Sequence, residues 1–161
     1  MPKAPRVLLD NAYYHVITRG NQKRNVFRES TDYENYLSRL KKYKVKYNVS
    51  IYGYCLMPNH IHILARLKDA KKISDFMHDL NLSYTNFFNE KYKKVGYLWQ
   101  GRFKSKIVSD ERYLLDCIAY IECNPVRAEL VKSVFEYSYS SYSERILEKP
   151  KEREILDELI L

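Results

Sequence analysis

Two histidines, one residue apart, are the side chains of this 161-residue chain with the clearest capacity for chemistry. His60 and His62 follow Pro58-Asn59 in a stretch rich in apolar and β-branched residues. Successive side chains of a β-strand point to opposite faces, so both imidazoles would emerge on the same face. Neutral imidazoles on one rigid face can supply two ligands to a divalent metal ion. The alternative is a pair of half-buried histidines packed on a sheet, because short motifs also match by chance.

Two tyrosines lie on a predicted helix that extends from Glu111 to about Cys123, with Asp110 as a natural N-cap. At about 100° per residue, Tyr113 and Tyr120 share a stripe beside the apolar face of this helix. A phenol is a poor nucleophile until its proton leaves, but a tyrosine close to a bound metal ion could attack an electrophile there.

Basic residues alternate along a predicted strand from Trp99 to Val108. The alternation places Arg102, Lys104 and Lys106 on one face, and cations beside aromatic rings suit single-stranded nucleic acid. The alternative is a solvated edge strand guarded by lysines. The remaining candidate DNA contacts are an aromatic residue at the start of this strand and three basic residues at and after the first strand: Trp99, Arg19, Lys23 and Arg24.

The composition favours a polyanionic partner for this chain. Its 28 Lys and Arg outnumber its 20 Asp and Glu, which gives a net charge of +8, and nucleic acid is the commonest partner of such a basic protein. No apolar run approaches membrane-spanning length, and the start of the sequence has no signal-peptide apolar region. The three cysteines lack a Cys-x-x-Cys spacing, which favours reduced thiols in a cytoplasmic protein without membrane contact.

The predicted elements alternate in the order βαββαβ, followed by further helices. Strands are expected near residues 13–19, 50–57, 60–67 and 99–108, and helices near 29–47, 73–95 and 111–123. This order predicts an α+β, ferredoxin-like core with an antiparallel sheet and helices on one face. The other face would then carry the histidines and the basic strand. An extra amphipathic C-terminal helix is predicted over 152–161.

The whole chain, 1–161, is expected to form one domain, with a core at about 13–131 and a C-terminal extension at about 132–161. Within that core, four segments in order resemble the HUH single-tyrosine transposases, and most closely their REP-associated tyrosine transposase branch. The segments are Tyr14-His15-Val16-Ile17-Thr18-Arg19-Gly20-Asn21, Met57-Pro58-Asn59-His60-Ile61-His62, Trp99-Gln100-Gly101-Arg102-Phe103-Lys104 and Tyr120-Ile121-Glu122-Cys123-Asn124-Pro125-Val126-Arg127-Ala128.

The resemblance implies cleavage and rejoining of single-stranded DNA through a covalent 5′-phosphotyrosine, with hairpin ends of repeated palindromes as substrate. It implies a divalent ion, Mg²⁺ or Mn²⁺, held by His60, His62 and Asn124. In the family the nucleophile precedes the amide ligand by four residues, which indicates Tyr120, with Tyr113 as the second candidate.

The role of Asn124 stays open between two interpretations. Its side chain is shorter than the glutamine of related insertion-sequence transposases, and Pro125 follows it, which is typical of an N-cap before a new helix. His15, on the first strand, is expected to be structural or close to the substrate.

Two rival functions remain. A domesticated, non-catalytic nucleic-acid-binding protein would need the basic strand but not the histidines and Tyr120, and a metal-dependent nuclease using water would need the histidines alone. The expected partner is single-stranded or hairpin DNA, and the protein is expected to be a monomer or homodimer.

Overall fold

A computed structural model describes residues 5–146 and 153–159 of the chain. Its strands are β1 (Tyr13–Arg19), β2 (Val49–Met57), β3 (His60–Leu67) and β4 (Lys104–Val108). Its helices are α1 (Ser30–Lys46), α2 (Lys72–Tyr92), α3 (Glu111–Glu122), α4 (Asn124–Arg127) and α5 (Ser141–Arg145). Within these described ranges, no helix has the length and apolar character that crossing a membrane requires.

The four strands form one sheet in the order β2-β3-β1-β4, and every neighbouring pair is antiparallel. This order is the one that the βαββαβ pattern predicts, because α1 and α2 each connect strands that are not neighbours in the sheet. The α+β class and the antiparallel sheet predicted from the sequence are therefore confirmed.

Helices cover both faces of the sheet, so the prediction of helices on one face is wrong. Helices α1 and α2 pack against Val16, Ile61 and Ile63 on one face. On the other face, α3 packs through Leu114, Ile118 and Ile121 against apolar residues that include Leu64. Strands β2 and β3 are buried along almost their whole length. A strand that is buried on both faces needs covering elements on both faces. The sequence analysis expected the histidine face of the sheet to be free of helices, and α3 covers it.

A tight turn holds the end of β1 beside the start of β3. Pro58 and Asn59 form the two-residue turn between β2 and β3, and the carbonyl of Asn59 accepts a hydrogen bond from the Gly20 amide at 2.9 Å. A Cβ at Gly20 would lie 2.3 Å from the carbonyl oxygen of Arg24, so only glycine allows the loop after β1 to close this way. This closure brings Arg19 into register with His60.

Strand β4 is shorter than predicted, because it begins at Lys104 and not at Trp99. Gly101 has a φ of 64°, in the left-handed region that interrupts a strand. Residue Trp99 still forms an isolated bridge with Gly20. The loop between Trp99 and β4 therefore stays tied to the end of β1, although it is not part of the sheet.

The C-terminal helix predicted over 152–161 is not formed by the described residues 153–159, while 152, 160 and 161 lie outside the described residues. The segment has no regular secondary structure and lies beside β2, which is an edge strand of the sheet. The Asp157 amide donates to the carbonyl of Ile51 at 2.8 Å, and the Asp157 carboxylate accepts from the Ile51 amide at 2.8 Å. The unpaired backbone amide and carbonyl groups of an edge strand need hydrogen-bond partners. Here the hydrogen bonds with β2 outweigh the helical spacing of apolar residues in the segment.

Candidate functional site

Strand β3 presents His60 and His62 on the sheet face that α3 covers, as the alternation predicts. Their ring centroids lie 5.0 Å apart. His62 is only 2% exposed, because it lies between β1 and β2 in register with Ile17 and Cys55. His60, at the start of the strand, is half-buried beside Arg19. The pair therefore lies at the end of the sheet nearest the turn.

A third imidazole joins the pair from β1. His15 Nε2 lies 2.8 Å from His62 Nδ1, and the two rings are stacked with centroids 5.1 Å apart. The sequence left open which face His15 occupies, and the register decides it, because His15, Ile17 and Arg19 alternate with the core residues of β1. His15 thus contacts a candidate metal ligand and orients its ring.

The hydrogen bonds of the two candidate ligands use their Nδ1 atoms. His60 Nδ1 donates to Asn59 Oδ1 at 2.8 Å, which leaves the lone pair on Nε2. When His62 Nδ1 donates to His15, the lone pair of His62 is likewise on Nε2. Neither Nε2 has a hydrogen-bond partner within the described residues. An Nδ1–H held by a neighbour, with Nε2 free, is the usual arrangement of a metal-binding histidine.

All three imidazoles are held in the neutral form that metal binding requires. Burial, and to a lesser extent the charge of Arg19, lower the pKa of His60 to about 4. Burial, followed by the neighbouring histidines and the cations Arg19 and Arg127, lowers the pKa of His62 to about 3. Burial and then the charge of Lys106 lower the pKa of His15. The site is therefore electropositive, which suits an anionic substrate.

These two Nε2 atoms could supply two protein ligands to a divalent ion. Among the residues that the structure describes, no group of three His, Cys, Asp or Glu side chains could hold a metal ion. Any further ligand must then be an amide, a water molecule or an oxygen of the substrate, as in sites that keep open positions for the reacting group.

Helix α3 brings Tyr120, and not Tyr113, against the imidazoles. The Tyr120 ring meets His62 edge-on at a centroid distance of 6.0 Å and His15 at 6.1 Å. Tyr120 is 50% exposed, so a ligand can reach this residue from solvent. Tyr113 is exposed two turns earlier on α3, and no ring contact joins it to any histidine of the described chain.

Arg127 is a site residue that the sequence analysis missed. Its guanidinium carbon lies 4.0 Å from the centroid of the Tyr120 ring, and its Nη2 donates to the Tyr120 carbonyl. The basic residue in the Asn-Pro-Val-Arg segment was visible in the sequence. Its contact with Tyr120 was not, because it depends on how the chain continues from α3 into α4.

The interruption between α3 and α4 also changes the expected relation between Tyr120 and Asn124. Helix α3 ends at Glu122, Cys123 occupies the N-cap position, and Asn124 is the first residue of α4. The prediction that Asn124 is itself the N-cap is therefore wrong. The two residues do not lie on one continuous helix, because Pro125 has no amide hydrogen with which to continue the helical hydrogen bonds. Asn124 as a metal ligand remains a prediction.

The predicted basic residues are divided between the two sides of the sheet. Lys104 and Lys106 lie on the histidine face, in register with Ile17 and His15. Arg102 lies in the loop before β4, so it does not share a strand face with the lysines, but it lines a cleft with Arg19. Two further predicted contacts lie in the loop after β1, where Lys23 is exposed and Arg24 is half-buried. The third, Trp99, is half-buried against the core on the α1 and α2 face of the sheet.

Comparison with known proteins identifies the class to which this fold and site belong. A family model described as "Transposase IS200 like" matches residues 9–124, most of the chain, so the chain belongs to the IS200-like transposases. Over 128 residues it is 30% identical to a protein of Haemophilus influenzae described as a REP-associated tyrosine transposase, covering 70% of each chain. The resemblance to the REP-associated branch is thereby confirmed.

Two solved structures share the fold. The structure of a REP-associated tyrosine transposase bound to a REP hairpin superposes with a TM-score of 0.76 over 100% of both chains, at 16% identity. The crystal structure of a protein from Deinococcus radiodurans described as a transposase superposes with a TM-score of 0.52 over 75% of this chain and 96% of that one, at 19% identity. These likenesses support the α+β architecture.

Proposed function

We propose that this chain cleaves and rejoins single-stranded DNA beside a hairpin, through a covalent 5′-phosphotyrosine on Tyr120. The observation that carries the proposal is the edge-on contact of Tyr120 with His62, 6.0 Å between ring centroids, next to two imidazoles whose Nε2 atoms have no hydrogen-bond partner among the described residues. Membership of a transposase family makes DNA the substrate that fits this site. The structural relative bound to a REP hairpin suggests the hairpin as the DNA form.

In the proposed reaction, the Tyr120 hydroxyl attacks the scissile phosphorus. A bond forms between the phenolic oxygen and phosphorus, and the bond from phosphorus to the 3′-oxygen breaks. The phenol gives up its proton, and the departing 3′-oxygen takes one up to become a 3′-hydroxyl. Attack by a 3′-hydroxyl on the phosphotyrosine reverses these changes and rejoins the strand.

His60 and His62 would hold a divalent ion, Mg²⁺ or Mn²⁺, with Asn124 as a proposed third ligand. Such an ion, when bound, polarises a phosphoryl oxygen and stabilises the charge of the transition state. His15 would fix the ring of His62, with which it shares the 2.8 Å hydrogen bond. Arg127, above the Tyr120 ring, would hold the phenol in place and offer a positive charge to the phosphate.

The decisive experiment looks for the covalent adduct at one oxygen atom. The full chain is incubated with 3′-end-labelled DNA that carries a hairpin with single-stranded flanks, in the presence of Mg²⁺ or Mn²⁺. The products are separated under denaturing conditions. We expect wild type to retain label on the protein and Tyr120→Phe to retain none, because the substitution removes only the phenolic oxygen. Tyr113→Phe is the matched control and should behave as wild type.

The same gel separates the rival functions. Cleavage without an adduct, equal in wild type and in Tyr120→Phe, would mean that water is the nucleophile. Binding without cleavage by any variant would mean that the chain only binds DNA. An adduct that survives in Tyr120→Phe and disappears in Tyr113→Phe would move the nucleophile to Tyr113.

A further inference from the structure

A groove separates α2 from the loop at residues 96–103, on the sheet face opposite the histidines. Its volume is about 920 Å³, at the upper end of the range of about 300–1,000 Å³ found for ligand pockets. Asn89 Nδ2 donates to the Gly96 carbonyl at 3.1 Å, and Trp99 Nε1 donates to the Asn81 carbonyl at 3.3 Å. These bonds fix the loop against α2, so the groove is a built feature.

Aromatic rings form one wall of this groove. Tyr97 is 85% exposed, and Trp99 is half-buried against the core formed with α1 and α2. Phe103 lies at one end, with the guanidinium of Arg6 3.6 Å from the centroid of its ring. Flat, accessible aromatic faces in a groove suit flat ligands, and unpaired nucleobases stack on such rings whatever their sequence.

The polar residues of the groove suit a polyanion. Arg6 and Arg102 both line it, and burial together with the charge of Arg102 lowers the pKa of Arg6. No lining residue of the described chain is acidic, although the chain has 20 Asp and Glu. On the α2 side, the amide of Asn86 makes no hydrogen bond to other described residues and is available to a ligand.

A second cleft extends from the groove toward the candidate active site. This cleft, of about 270 Å³, shares Gly101 and Arg102 with the groove, and it extends to Ile17 and Arg19 on the histidine face. Arg19 is in register with His60. A single strand that crosses the edge of the sheet at Gly101 could therefore occupy the groove and the histidine site at the same time.

We propose that this groove binds an unpaired stretch of the same DNA strand that is cut at Tyr120. Bases stack on Tyr97 and Trp99, the Asn86 amide bonds to a base edge, and Arg6 and Arg102 contact the phosphates. The proposal rests on the proposed DNA-cleaving function, and it makes the groove a determinant of which DNA is bound, at a distance from the reacting atoms.

The test compares hairpins with and without a single-stranded tail. Binding of the full chain to a blunt hairpin, to hairpins with a short 5′ or 3′ tail, and to the same tails without bases is measured by fluorescence anisotropy in EDTA. We expect one tail polarity to raise affinity, and Tyr97→Ala to lower that affinity by about fivefold or more, as expected for one lost base–aromatic stack. Phe135→Ala removes another exposed aromatic residue, outside the groove, and is the matched control.

Three further results are informative. A base-free tail, which keeps only its phosphate contacts, should bind more weakly than the same tail with bases, and 5-iodouracil in the effective tail should crosslink to the groove. Equal affinities for tailed and blunt hairpins, or equal loss on both for Tyr97→Ala, would overturn the proposal. EDTA excludes metal-dependent cleavage, so the binding test and the adduct test are independent. Tail-dependent binding in EDTA, with no adduct formed in the presence of Mg²⁺ or Mn²⁺, would refute the catalytic function and support the proposal for the groove. Adduct formation without tail preference would do the reverse.

Discussion

The guanidinium of Arg127 lies 4.0 Å from the centroid of the Tyr120 ring and also donates to the Tyr120 carbonyl. Two contacts from one side chain fix both the backbone and the ring of Tyr120. Arg127 belongs to α4 and Tyr120 to α3, so these contacts join the two helices across the interruption at Cys123. Arg127 also contributes to the lowered pKa of His62, so it links the tyrosine and the histidines electrostatically.

Arg127→Ala should slow adduct formation while DNA affinity changes little. Cation–π contacts contribute about 0.5–2 kcal/mol, so we expect a loss of about two- to thirtyfold in the single-turnover rate. Arg127→Lys should recover only part of that rate, because an ammonium group cannot stack in a plane on the ring. Arg112→Ala, an exposed arginine at the other end of α3, is the control. A rate loss equal in both variants would refute the role of Arg127.

His60→Ala should abolish cleavage at every Mg²⁺ or Mn²⁺ concentration, because no other described side chain can replace its Nε2. His60 is half-buried at the start of β3, so folding should be preserved, as checked by the thermal midpoint. His62 is 2% exposed and needs the conservative His62→Gln, since alanine there would leave a cavity. Full activity of His60→Ala at saturating metal would disprove the metal site.

His15→Ala should weaken metal binding without abolishing catalysis. His15 shares a 2.8 Å hydrogen bond with His62, and loss of such outer partners usually costs about 10- to 100-fold in metal affinity or activity. A titration of cleavage rate against Mn²⁺ should shift to higher concentration and reach a plateau closer to that of wild type. His78→Ala, an exposed histidine on α2, should leave the titration unchanged.

Neutralising Lys104 and Lys106 should flatten the salt dependence of single-strand binding. Each lost phosphate contact reduces the slope of log affinity against log salt by about 0.7, so the double glutamine variant should lose about 1.4. Both lysines lie on the histidine face, whereas Lys42 and Lys72 belong to helices on the opposite face. The Lys42→Gln/Lys72→Gln control should retain the slope. An unchanged slope in the β4 variant would mean that its lysines only protect an edge strand.

The metal-free protein should lose stability as the pH falls below about 6.5. The unfolded chain protonates these histidines near 6.5, while in the folded chain the pKa of His60 is about 4 and that of His62 about 3. Between these values the unfolded state binds more protons, so stability increases with pH and is lost on acidification. Thermal midpoints in EDTA should decline through this range, and they should decline less in His62→Gln. A flat profile in wild type would contradict the neutral, buried site.

Local sequence signals determined most of the secondary-structure elements and, within the candidate site, the placement of His60 and His62. The period of apolar residues located all four strands and the three long helices, and the His-Ile-His alternation placed both imidazoles on one face. These features depend on backbone geometry within a few residues, so they can be derived without the tertiary structure. The length of the basic β-strand β4 was overestimated, because Gly101 has a left-handed backbone conformation that interrupts the strand.

Only the tertiary structure decided which residues meet. Tyr113 and Tyr120 share a stripe of α3 in the sequence, but the packing of α3 on the histidine face brings Tyr120 alone to His15 and His62. Arg127, on α4, contacts Tyr120, on α3, and the C-terminal segment forms hydrogen bonds with the edge of β2 and no helix. Such contacts depend on how separate elements pack together. The helix or strand propensity of a segment carries no information about these tertiary contacts, which can outweigh it.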